Sequence, residues 1–133
     1  MTTFVDTSAL YAVLDASDAS HPPARTAWAG LLARDDSLLT SNYVIGESFA
    51  LLQRHLGLEA VRAFQDLVLP VLEVEWVDQA DHATAVQAVL AADRRELSLV
   101  DCVSFQVMRR LGLRTVFAFD EHFEEQGFEV LPE

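Results

Sequence analysis

TTFVDTSALYA, residues 2–12, sets the architecture of the chain. A short apolar stretch, Phe4-Val5, runs straight into Asp6. Thr7 and Ser8 follow, and Ala9 to Leu14 read as helix. A buried strand that ends on a carboxylate and turns at once into a helix is the start of a βα unit. The same pattern returns near the other end of the chain. RTVFAF, residues 114–119, is nearly all apolar, as expected of a strand covered on both faces, and it stops at Asp120.

Between these two stretches the chain alternates. SLLT (37–40) reads as a short strand. SNYVIGESFALLQRHLG (41–57) is a helix capped by Ser41 and Asn42 and stopped by Gly57. LEAVRAFQDLVL (58–69) is a second helix ending at Pro70, and VLEVEWV (71–77) alternates as a strand does. QADHATAVQAVLAADRR (79–95) and SLVDCVSFQVMRRLG (98–112) are helical, and FEVLP (128–132) supplies a last strand. Before them, DASDASHPP (15–23) is a turn whose prolines start a helix over 24–34. Strands alternating with helices predict an α/β domain with a largely parallel sheet of about five strands, spanning residues 1–133 as one unit. In such sheets functional groups gather beyond the carboxyl ends of the strands, which is where Asp6 and Asp120 fall.

Composition sets limits on function. Half of the 133 residues are hydrophobic, enough for a core. No apolar run has the length of a membrane span, and no basic segment precedes an apolar block at the N-terminus. With one cysteine, Cys102, no internal disulfide forms, and a cytoplasmic location is expected. Nine arginines, no lysine and 21 acidic residues give a formal charge of −12. The missing lysine excludes P-loop chemistry and Schiff bases. It also disfavours an aspartate-nucleophile phosphatase of the haloacid-dehalogenase type, which wants a lysine and a D-x-D where this chain has Asp6-Thr7-Ser8. So acidic a chain is a poor general binder of nucleic acid unless its carboxylates collect around a cation.

Four acids are candidates for that role, and each has an ordinary alternative. Asp6 and Asp120 suit helix N-caps. Asp101 completes an S-x-x-D capping box with Ser98, yet it shares a stripe with Phe105 and Met108, so partial burial is expected. An unpaired buried charge costs several kcal/mol and calls for a cation or a proton. Glu47 points away from the stripe of Ile45, Phe49, Leu52 and Leu56, and its spacing reads as a solvated helix position. Among the histidines, His21, His55 and His82 lack metal-ligand spacing, and His122 is open to an exposed reading.

The four acids in this order resemble a PIN domain. The resemblance covers essentially the whole chain and is carried by FVDTSALYAVLD, TSNYVIGESFALL, LSLVDCVSFQVMRRLG and VFAFDEHFEEQGFEVLP. It implies a three-layer α/β/α fold. Small PIN proteins of this length are mostly VapC-type toxins of toxin–antitoxin pairs. The resemblance therefore implies an Mg²⁺- or Mn²⁺-dependent ribonuclease with Asp6, Glu47, Asp101 and Asp120 as catalytic metal ligands and Ser8 as a supporting hydroxyl. It further implies an RNA substrate, a cognate antitoxin with a basic segment, and a homodimer. RNA contacts would fall to arginines, with Arg54, Arg94, Arg95, Arg109 and Arg110 as candidates. The competing readings are a PIN nuclease of RNA processing without an antitoxin and a PIN-like binding module that has lost catalysis.

Overall fold

The computed structural model describes residues 1–133. Its centre is β1 (Thr2–Val5), whose Phe4 and Val5 are wholly buried. β1 is flanked by β2 (Ser37–Ser41) and β4 (Thr115–Phe117), both parallel to it, with Phe4 opposite Leu39 on one side and Val116 on the other. The edges are β3 (Glu73–Glu75) beside β2 and β5 (Glu129–Leu131) beside β4. The sheet is five-stranded and parallel throughout, in the order β3-β2-β1-β4-β5. The three central strands are buried on both faces, as a parallel sheet covered on both sides requires, and their polar residues there are only the short hydroxyls Thr3, Thr40, Ser41 and Thr115.

The helices are α1 (Thr7–Leu14), α2 (His21–Ala33), α3 (Asn42–His55), α4 (Leu58–Ala63), α5 (Gln79–Ala92), α6 (Leu99–Leu111) and the short α7 (His122–Glu125). They build the α/β/α layering that the sequence leads one to expect. α1 packs against α2 and α3, α3 also against α6, and α5 lies along α6. The fully buried aromatics Phe4, Phe64, Phe117 and Phe123 anchor the core.

Two elements differ from the sequence expectation. The helix anticipated over 58–69 keeps regular α geometry only to Ala63. It then widens into a π-turn over Phe64–Val68 and tightens into a 3₁₀ turn, Leu69–Val71, that contains Pro70. The strand anticipated over 71–77 is therefore only Glu73–Glu75, since the 3₁₀ turn consumes its beginning. Trp76, beyond its end, is 73% exposed.

The chain order locates the site. From β1 the chain moves outward to β2 and β3 on one side, then crosses to β4 and β5 on the other. The reversal falls between β1 and β4, and the crevice at their carboxyl ends is where open α/β sheets place ligands.

Candidate active site

Asp6 is the first residue past β1, and its amide donates to the Phe117 carbonyl at 3.0 Å, extending the β1–β4 pairing by one residue. Its extended backbone makes it the N-cap of α1. Carboxylate Oδ2 accepts from the Ser8 amide at 3.1 Å and from the Ser8 hydroxyl at 2.6 Å. The Ser8 oxygen in turn accepts from the Phe119 amide at 2.9 Å. One hydroxyl thus joins the ends of the two paired strands at whose carboxyl edge the crevice lies.

Asp101 occupies the third position of α6 and closes a reciprocal capping box. Its amide donates to Ser98 Oγ, and its Oδ2 accepts from the Ser98 amide, both at 3.1 Å. Asp120 follows β4, and its Oδ1 accepts from the His122 amide at 2.9 Å. Capping and site formation are therefore not alternatives here. In Asp6, Asp101 and Asp120 one carboxylate oxygen is fixed by a local hydrogen bond, while the other has no amide, hydroxyl or cationic donor, and the Asp101 and Asp120 carboxyls lie within hydrogen-bonding reach of each other.

Glu47 joins them, against the solvated reading that its spacing suggested. α3 buries Val44, Ser48 and Leu52, and it packs on both α1 and α6, so two of its faces meet protein. The helix start is pinned by Ser41 Oγ, which accepts from the Val44 amide at 3.2 Å, and by Thr7 Oγ1, which donates to the Val44 carbonyl at 3.4 Å. Glu47, one turn further on, is half-buried and faces the crevice.

The resulting cleft has a volume of about 490 Å³. Asp6, Glu47, Asp101, Asp120 and Ser8 all line it, together with two acids that the sequence did not single out, Asp18 and Glu96. No arginine lines it. The crowding raises proton affinity. Burial, and secondarily the charges of Asp101 and Asp120, push Asp6 up to about 7 despite the opposing Ser8 hydrogen bonds. Burial, opposed by the Ser98 amide and reinforced by Asp120, pushes Asp101 up to about 6.

A PIN domain sequence model matches residues 3–129. The chain belongs to the PIN domain family. It is 40% identical over 132 residues to VapC20, a 23S rRNA-specific endonuclease of Mycobacterium tuberculosis, in both the CDC 1551 / Oshkosh and the H37Rv strains, covering 98% of each chain. The crystal structure of M. tuberculosis VapC20, described as a toxin that cleaves the sarcin–ricin loop, superimposes with a TM-score of 0.84 at 37% identity over 96% of both chains. VapBC2 of Rickettsia felis, bound to a promoter DNA fragment, has the same fold at a TM-score of 0.71 and 12% identity, over 98% of this chain and 97% of that one. This is a PIN protein of the VapC type.

The PIN cleft has polar surroundings that patterning did not reveal. His122 is buried, not exposed. Burial pulls its pKa down, but the Glu125 carboxylate 3.3 Å from Nδ1 and the nearby charges of Asp120 and Asp101 outweigh that and raise it. Arg94 bridges Glu125 at 2.9 Å and Glu96 at 3.0 Å. Arg110 holds Glu75 at 2.8 Å and the buried Asp81 at 2.9 Å. Arg109 lies over the rings of Phe105 and Phe128 and donates to Gln126. Of the five arginines suggested for RNA contact, Arg54 and Arg95 alone are exposed without such a partner.

The donor set suits a hard cation. The donors that the acids offer are all oxygens, as Mg²⁺ and Mn²⁺ prefer. The free oxygens of Asp6, Asp101 and Asp120 belong to carboxyls close enough to shift one another's proton affinity. No three of these side chains form a ready-made cage.

Proposed function

We propose that this PIN protein is a divalent-metal-dependent endoribonuclease acting as the toxin of a VapBC-type toxin–antitoxin pair, residues 1–133 working as one domain. The observation that carries the reading is the set of oxygens that Asp6, Asp101 and Asp120 leave without an amide, hydroxyl or cationic donor in one acidic cleft. Such a cleft resists an RNA phosphate until a cation lies between them. Asp6 and Asp101 would hold Mg²⁺ or Mn²⁺, with Asp120 and Glu47 completing the shell directly or through water. A cation there supplies charge neutralisation at the scissile phosphate and acidification of a water. The protein's own part is orientation. Ser8, Ser98 and the His122 amide fix the carboxylates before any ligand arrives, so no reorganisation is needed on binding.

VapC20 is a 23S rRNA-specific endonuclease and a sarcin–ricin loop cleaving toxin, at 40% identity over nearly the full length. A structured loop of 23S rRNA is accordingly the substrate of first choice. An antitoxin whose basic segment enters the cleft fits the net charge of −12 and the six acids around it. A homodimer fits the exposed Leu58, Leu67 and Val71 on α4 and the turns after it. A cytoplasmic site of action fits a ribosomal RNA target.

The deciding experiment incubates purified protein with 23S rRNA in Mg²⁺ or Mn²⁺ and maps the new ends, with chelator and Asp101→Asn as controls. A discrete cut that needs the metal and is lost in the variant supports the reading. Cutting that persists in chelator removes the metal mechanism, and the absence of any cut removes the nuclease. Light scattering tests the dimer, and co-purification with the product of an adjacent small gene tests the antitoxin.

A further inference from the structure

The cleft presents RNA with a physical difficulty. Its charged lining residues are all acidic, so a nucleotide entering it gains no ion pair from the walls. A bound cation attracts only the phosphate that it touches. Inside the cleft, beyond hydrogen bonds to the lining hydroxyls, affinity for the flanking nucleotides therefore comes from an interaction indifferent to charge. Stacking on an aromatic ring is one, and it is the usual way in which single-stranded loop nucleotides are held.

Two aromatic rings line the cleft, Tyr11 and Phe119. Phe119 packs edge-on against the core residue Phe117, with ring centres 6.1 Å apart. Tyr11 is held differently. Its hydroxyl donates to Asp15 Oδ2 at 2.8 Å. Asp15 is itself buried and locked, its Oδ1 accepting from the Ser17 amide at 3.0 Å and the Ser17 hydroxyl at 2.7 Å. These contacts hold Asp15 ionised below its ordinary range, first through Ser17 and then through Tyr11, and hold Tyr11 as a neutral phenol above its own. Tyr11 therefore has neither the charge of a ligand nor the proton affinity of a general base. What it offers is a half-buried ring in a fixed orientation on the cleft wall. The exposed His55 of α3 meets that ring edge-on, with centres 6.0 Å apart and planes at 79°. The ridge Glu47–Leu51–His55 thus leads from the acidic centre to this aromatic pair.

We propose that Tyr11, braced by Asp15 and edged by His55, is the platform on which a nucleobase next to the scissile phosphate stacks. This rests on reading the chain as a ribonuclease. The geometry favours an unpaired loop base over a duplex, because a base inside a helix has both faces covered by its neighbours. A ring held in advance loses little freedom on binding, which is why a second-layer carboxylate and its Ser17 clamp serve one tyrosine. The cleft, at about 490 Å³, has the size of ordinary small-ligand sites and admits a nucleotide.

The test compares wild type with Tyr11→Phe, which keeps the ring, and Tyr11→Met, which keeps apolar bulk without a π-face. A 23S rRNA loop hairpin serves as substrate, and melting curves establish that each variant is folded. Tyr11→Met should raise KM about tenfold, the loss expected for one stacked base, with kcat changed less than about threefold. Tyr11→Phe keeps the π-face but loses the Asp15 brace, and should fall between wild type and Tyr11→Met. Fluorescence anisotropy in an Asp101→Asn background, where nothing is cut, should give the same split in Kd. Irradiating the wild-type protein with hairpins bearing 5-iodouridine at successive loop positions should cross-link one of them to Tyr11, a readout that needs no variant. Three results overturn the proposal: a folded Tyr11→Met that binds like wild type, a fall in kcat with KM unmoved, or cross-links confined to other residues. A wild-type chain that neither binds nor cuts RNA overturns the nuclease reading as well. A wild type that cuts normally beside an equally competent Tyr11→Met overturns only the stacking platform.

Discussion

The Ser8 hydroxyl donates to Asp6 Oδ2 at 2.6 Å while accepting from the Phe119 amide at 2.9 Å. A residue of α1 therefore sets both the carboxylate at the end of β1 and the backbone just beyond β4. Ser8→Ala removes the donor to Asp6 and leaves the Phe119 amide without its partner. The expected outcome is a fall in cleavage of about 10- to 100-fold, the range for losing an outer-shell partner. A stability loss of about 1 kcal/mol should accompany it. Ser8→Thr should restore much of both. Full activity in Ser8→Ala would mean that Asp6 needs no such support.

Asp6→Asn and Asp101→Asn separate capping from catalysis. Asparagine caps a helix about as well as aspartate, and its carbonyl oxygen can accept the same amide hydrogen bonds. Both variants should therefore fold and fail to cleave RNA. In chelator near neutral pH, Asp101→Asn should melt higher than wild type, by about 1 kcal/mol of stability, since it removes a like charge from an acidic cleft. A lower melting temperature would show that its capping-box hydrogen bonds outweigh that repulsion.

The strands and most helices were readable because apolar runs and caps are local signals. Asp6 and Asp120 were placed together by one rule, that parallel sheets gather their functional groups at the carboxyl edge. Glu47 was unreadable from spacing, since periodicity identifies one buried stripe and α3 packs on both α1 and α6. Asp18 and Glu96 sit in turns where no period exists, so their arrival at the cleft depends on tertiary contacts alone. His122 read as open to solvent because its burial depends on the fold around α7, including the packing of Phe123 against Phe105. The break after Ala63 is hidden because Phe64–Val68 contains no helix breaker, and the first one, Pro70, comes only in the 3₁₀ turn.

Arg110 and Arg95 differ in what surrounds them, and their substitutions should differ accordingly. Arg110→Ala strands the buried carboxylate of Asp81 and frees Glu75, so it should destabilise the fold by about 1–3 kcal/mol. Arg95→Ala touches no partner and should leave the melting temperature within about 0.5 kcal/mol of wild type. If either contacts the RNA backbone, it should be Arg95, detected as a shallower salt dependence of binding. A destabilised Arg95→Ala beside an unaffected Arg110→Ala would contradict the ion-pair assignments.

The cleft carboxylates set the sign of the pH dependence. Asp6 and Asp101 rise from an ordinary 3.8 to about 7 and about 6 in the folded protein. Between pH 4 and 7 the folded state therefore holds protons that the unfolded state has released. Stability must fall as pH rises through that window and level off above it. The raised His122 adds to the same trend, because its charged form is favoured by folding and is lost as pH rises. In chelator the melting temperature should thus decrease from pH 5 to pH 7.5. Saturating Mg²⁺ or Mn²⁺ should oppose that decrease, since metal binds the ionised carboxylates and releases their protons. At a hundredfold excess over its dissociation constant the ion should add about 2.7 kcal/mol, and the gain should shrink toward pH 5. Melting curves at three pH values, with metal and with chelator, check both slopes. A chelated protein that grows more stable from pH 5 to 7.5 would mean that these acids are held ionised by partners other than a metal.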